Sequence, residues 1–160
     1  MAVDINPKCS DFLNSDVDFI NNSILNITSI MPHTIDFIFI SNVLEHFSSK
    51  AAIEEFLIMV NKILKPNGKL CIIQPNYRYC YKEYWDYWDH HIPISDKSML
   101  EVLNLFNFDI DLQIARFLPY TVKNYFRVPA LFLKFYLGLP ILWKIFGQQF
   151  FILASKGPNE

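Results

Sequence analysis

Residues 35 to 41 read IDFIFIS, an almost unbroken apolar run too short for a helix of its own. A strand buried on both faces has this composition, because each pleat face must meet an apolar layer. Ser48 then offers an N-cap to the stretch SKAAIEEFLIMVNKILK, where Ile53, Phe56, Leu57, Val60, Ile63 and Leu64 recur at three and four residues. Pro66-Asn67-Gly68 ends that helical pattern and turns into KLCIIQP, a second buried strand. Strand, helix, strand within 41 residues is the unit of a parallel sheet covered by helices.

The remaining runs extend the same architecture. AVDI (2 to 5) and DFIN (18 to 21) have the character of strand ends, and FDIDLQIARF (108 to 117) alternates as a strand nearer an edge does. A helix is expected after Ser95, with Met99, Leu100, Leu103 and Phe106 on one side, and QQFFILASK supplies the last strand. No repeat or linker interrupts residues 1–160, so one α/β domain is expected. A net charge of −2 gives no basic face for nucleic acid. Cys9, Cys71 and Cys80 lack metal spacing and suit a reducing compartment, and MAVDINPKCS lacks a signal core, so a cytoplasmic protein is expected.

In sheets of this class ligands bind outside the carboxyl ends of the strands. Four strand ends carry recognisable pieces: VDINP, FINNSI, IDFIFISNVLEHF and ILKPNGKLCIIQPN. In this order and spacing they resemble a class I S-adenosylmethionine-dependent methyltransferase. The tail, with YWDYWDHHIPIS, RFLPYT and YLGLPILWKIFGQQFFILASK, resembles the subgroup found in bacterial polysaccharide and cell-surface biosynthesis. The resemblance implies a Rossmann-like sheet with helices on both faces and S-adenosylmethionine as cofactor. It further implies an acceptor that is a small molecule or lipid-linked glycan, methylated on a hydroxyl.

It also implies site residues. Asp4, with Ile5 beside it, would take the ribose hydroxyls, since a fixed carboxylate accepts two hydrogen bonds. Asn22 and Ser23 would meet the adenine amino group where the family usually has an acid, and Ile24 would pack on the adenine face. Ser41, Asn42 and Val43 would line the methionine part. Asn76, Tyr84, Trp85, Trp88 and His46 would form the acceptor wall, aromatic faces suiting a sugar or the sulfonium cation. His90 or His91, His90 first, would take the acceptor's proton. Glu45 and His46 match part of a Glu-x-x-Glu-His motif that binds a divalent ion in some relatives. Asn42 stands at its first position, so no metal is expected.

The family's glycine-rich loop belongs about 20 residues ahead of Asp4, on the central strand of the sheet. All four glycines, Gly68, Gly138, Gly147 and Gly157, lie far downstream. The expected fold therefore lacks its first, central strand and reads as N-terminally truncated. Two readings follow: an active methyltransferase, or an inactive remnant or binding module that has lost the cofactor loop. The apolar segment 130 to 146 carries Lys134 and Lys144 and is broken by Gly138 and Pro140. It is too short to span a bilayer, but peripheral contact with a membrane's inner face fits its composition.

Overall fold

The computed structural model describes residues 1–27, 30–120 and 130–158. Among the described residues there are six strands and five α-helices. They are β1 (Ala2–Asp4), β2 (Phe19–Asn21), β3 (Ile35–Ser41), α1 (Lys50–Ile63), β4 (Leu64–Pro75), α2 (Tyr77–Cys80), α3 (Asp96–Leu105), β5 (Phe108–Ile114), α4 (Ala130–Leu137), α5 (Pro140–Phe146) and β6 (Gln149–Lys156). Thr121, at the end of RFLPYT, lies outside the described residues.

The larger sheet has the order β3-β4-β6-β5. β3 and β4 are parallel across α1, as the apolar runs require, but β6 runs antiparallel to both β4 and β5. The sheet is therefore mixed. QQFFILASK pairs beside KLCIIQP after a reversal in the α4–α5 region, which strand periodicity alone does not reveal. β1 and β2 form a separate parallel pair. Among the described residues no ladder joins β1 to β3, so the strands form two separate sheets.

Local chemistry explains the helix boundaries. Ser49, rather than Ser48, caps α1, its side-chain oxygen accepting the Ala52 N–H at 3.1 Å. Ser95 and Ser98 form a reciprocal capping box on α3. The Pro66-Asn67-Gly68 turn sits inside β4 as a bulge, with Asn67 at φ 60°. Asparagine tolerates this left-handed conformation better than most residues.

One core joins α1, α3 and the larger sheet: Phe56, Leu57, Val60, Leu70, Ile72, Met99, Leu103, Phe108, Phe150 and Ile152 are buried together. On β3, Ile40 is buried and Ile38 packs against this core. Phe37 and Phe39, which point the other way, stay 54% and 56% exposed. Only one face of β3 is covered by this core.

Candidate active site

The carboxyl ends of β1, β2 and β3 open onto one cavity of about 670 Å³. Asp4 and Ile5 enter it from β1, Asn22, Ser23 and Ile24 from β2, and Asn42 and Val43 from β3. His46, Phe47, Asp89 and His91 complete the lining.

Each strand end is shaped by short hydrogen bonds. Asp4 Oδ1 accepts the Asn6 N–H at 2.7 Å, which turns the chain after β1 and fixes the carboxylate. Asn21 Nδ2 donates to the carbonyls of Asp4 and Ile5, both at 3.0 Å, binding the two short strands together. Asn42 takes φ 51° and donates its N–H to Ile73 O at 3.0 Å, so β3 ends in a sharp turn.

Behind this turn lies a buried polar joint. Gln74 Oε1 accepts from the N–H groups of Val43 and Leu44, and its amide nitrogen donates to Glu45 Oε2. The Glu45 carbonyl accepts the N–H groups of His91 and Ile92 at 2.8 and 3.3 Å. The loop after β3 is thus bonded both to β4 and to the aromatic stretch. Burial raises the Glu45 carboxyl above the ordinary glutamate value, opposed by its hydrogen bond from Gln74. His46 Nδ1 lies 3.0 Å from Asp89 O, and its Nε2 faces Glu45 Oε1 at 3.9 Å.

Residues 1–72 match a family model described as a methyltransferase domain. Solved structures similar to the chain include a SAM-dependent methyltransferase from Archaeoglobus fulgidus, with 18% identity, coverage of 96% of this chain and 74% of that one, and a TM-score of 0.66. A SAM-dependent methyltransferase from Methanosarcina mazei gives 13%, 98%, 81% and 0.68. The 1,6-didemethyltoxoflavin-N1-methyltransferase of Burkholderia thailandensis, solved with S-adenosylhomocysteine, gives 13%, 98%, 60% and 0.61. No curated protein matches the chain significantly. The fold is that of a class I methyltransferase. The matched domain covers under half of the chain, and the solved structures, one of them holding S-adenosylhomocysteine, share its fold.

The donor set fits such a ligand. A methyltransferase cavity needs an acid for ribose, small polar groups for adenine and an uncharged turn near the methionine end. Asp4, Asn22 with Ser23, and Asn42 with Val43 are groups of these kinds, and all line this cavity. Ser41 is exposed at the end of β3 but does not line the cavity.

The aromatic stretch divides more sharply than its sequence suggests. His91 faces the cavity. His90 is 7% exposed, stacked on Tyr87 at 5.0 Å and edge-on to Tyr84 at 4.7 Å. Burial, helped by the neighbouring His46, pushes the His90 imidazole below its usual value. Tyr84 is fully buried and donates its hydroxyl to the Ile92 carbonyl, which makes it a strut for the stretch. Asn76 is equally buried, donating to Asp96 Oδ1 and Ala115 O, both at 2.9 Å. Trp85 packs edge-on against Tyr77 and Tyr84 while half exposed, and Trp88 is 98% exposed. None of these five lines the cavity.

Periodicity could not have picked out Asp89 and Phe47, which do line it. Asp89 lay unremarked between Trp88 and His90, and Phe47 reads as the apolar end of LEHF. Glu45, His46 and His90 also present ligand atoms within 4.8 Å of one another. These are the residues that could hold a divalent ion, a grouping hidden in sequence because His90 arrives from 44 residues downstream. Hydrogen bonds from Gln74 to Glu45 and between His46 and Asp89 already tie two of the three into the joint.

Proposed function

We propose that this protein is an S-adenosylmethionine-dependent methyltransferase that methylates a hydroxyl of a sugar or related cell-surface precursor, including precursors carried on lipid. The supporting observation is that one cavity is lined by Asp4 as well as by His91 and Asp89. Asp4, Asn22, Ser23, Ile24, Asn42 and Val43 would hold S-adenosylmethionine, which supplies an electrophilic methyl group when bound.

The chain's own contributions are alignment, exclusion of water and a proton acceptor. Alignment alone accounts for a large share of the rate in a displacement between two bound reactants. His91 is placed to accept the acceptor's hydroxyl proton, because an imidazole works near neutral pH and this one lines the cavity. His90, with its charged form disfavoured by burial, packs the wall behind it.

The test uses S-adenosylmethionine labelled in its methyl group, offered with nucleotide sugars and lipid-linked sugars. Label should appear as an alkali-stable methyl ether. His91→Ala should lower the rate about 10²–10⁴-fold with S-adenosylhomocysteine affinity unchanged. His90→Ala should instead lower the melting temperature. Label on an amine nitrogen, or a full rate in His91→Ala, would overturn the assignment.

A further inference from the structure

The second feature of interest lies at the same end of the sheet. α5 runs through Gly147 into β6, whose Gln149 pairs with Pro75 at the carboxyl end of β4. The α4–α5 hairpin therefore sits at the edge of the sheet that carries the cavity. Tyr120 touches Tyr87 of the aromatic stretch, their ring centres 5.8 Å apart.

The inner side of the hairpin is firmly attached. Tyr136 Oη donates to Phe117 O at 2.6 Å, and Trp143 Nε1 donates to Tyr136 O at 2.9 Å. Arg116 reaches the carbonyls of Ile145 and Gly147, each at 2.8 Å. The outer side is a different surface. Leu131, Phe132, Phe135, Ile141, Ile145 and Phe146 are each more than half exposed, with Lys134 and Lys144 among them. Six large apolar side chains on two adjoining short helices form a patch that a monomer in water does not ordinarily keep open. Phe132 and Phe135 also border an open apolar cavity of about 460 Å³ shared with Leu118 and Pro119.

Charge says what covers this face. Residues 112 to 160 hold six of the chain's 14 Lys and Arg but one of its 16 Asp and Glu, and that one is the final residue, Glu160. The rest of the chain is correspondingly acidic. Of the six basic residues, Lys156 is buried and Arg116 is held by carbonyls, but Lys134 and Lys144 stand exposed within the apolar patch, the combination that suits the surface of an anionic bilayer. Helices of eight and seven residues cannot span a membrane, and among the described residues no helix is long and apolar enough to do so.

We propose that the outer face of α4–α5 docks on the surface of an anionic lipid bilayer. Leu131, Phe132, Phe135 and Ile141 enter the headgroup boundary, and Lys134 and Lys144 meet lipid phosphates. Docking by itself is independent of the methyl-transfer reading. Joined to that reading, it presents the cavity to acceptors whose lipid lies in the same bilayer.

Vesicle co-sedimentation of the full chain decides it, with phosphatidylcholine alone and with phosphatidylglycerol added. The protein should pellet with the mixed vesicles and remain in solution with phosphatidylcholine. Lys134→Glu with Lys144→Glu should weaken binding at least about ten-fold. Phe132→Ser with Phe135→Ser and Ile141→Ser should abolish it at an unchanged melting temperature, since these side chains are exposed. Three results overturn the proposal: no pelleting at low salt, equal pelleting of the variants, or a wild-type dimer by light scattering that these substitutions dissolve. The last would make a second copy of the chain the occupant. S-adenosylhomocysteine affinity, measured alongside, reports on the catalytic reading separately.

Discussion

The two ends of the chain are built to different standards. From Ile40 onward the sheet is dense, with Leu44, Phe56, Leu57, Leu64, Leu70, Ile72, Phe150, Ile152 and Ala154 at or near zero exposure. Of the described residues before Ile40, only Ile27 joins the buried apolar set, while Ile5, Phe12 and Met31 are 70% exposed or more. β1 and β2 are three residues each and rest on one another. Yet this thin half carries Asp4, Asn22 and Ser23. The residues assigned to ribose and adenine stand on the weaker half of the molecule, and those assigned to the proton stand on the stronger.

The largest expected effect comes from breaking the dense half. Phe56→Ala should cost about 3–5 kcal/mol in urea denaturation, the usual range for truncating a buried phenylalanine. Phe12→Ala, at an 86% exposed position, should change stability by less than about 0.5 kcal/mol. Similar losses at the two sites would mean that the N-terminal half packs as tightly as the rest.

Hydrogen exchange sharpens the comparison without mutation. Amides of β4 and β6, paired over seven residues, should exchange only through global opening. Those of β1 and β2, in a three-residue ladder, should exchange through local opening at much lower protection. Cofactor added at saturation should slow β1 and β2 more than β4 and β6, because binding would join the two sheets at their strand ends.

A smaller effect belongs to the buried polar joint behind β3. The buried Glu45 carboxyl has its pKa raised, so the folded state holds a proton that the unfolded state has released. Stability should therefore fall as pH rises from the ordinary glutamate value through the raised one, and level off above it. The slope contributed by one such group is at most about 1.4 kcal/mol per pH unit. Urea midpoints across that window should show this slope in the wild type relative to Glu45→Gln, which carries no proton to lose. Parallel curves would mean that Glu45 is not held in a desolvated place.

Much of this organisation was legible in the residues. IDFIFIS, the α1 stripe and KLCIIQP announced a strand-helix-strand unit because burial on a fixed period leaves a direct mark. Asp4, Asn22, Ser23, Asn42 and Val43 could be placed together because strand ends in such sheets converge. The antiparallel β6 was not legible, since strand direction depends on how the chain returns and not on local composition. Nor was the division of EYWDYWDHHIPISD into a cavity-facing His91 and a buried His90. Adjacent residues of one type differ only in which way the backbone turns them, and that turn is set by distant bonds such as Glu45 O to His91 N–H.

Calorimetric titration with S-adenosylhomocysteine, carried to millimolar ligand, asks whether this cavity holds the cofactor. Saturable one-to-one binding is expected, weakened in Asp4→Ala by about 1.5–3 kcal/mol, the loss of charge-assisted hydrogen bonds to the ribose. His91→Ala should leave that affinity unchanged. An absence of binding at millimolar ligand, or equal affinity in wild type and Asp4→Ala, would contradict the assignment of this cavity to the cofactor.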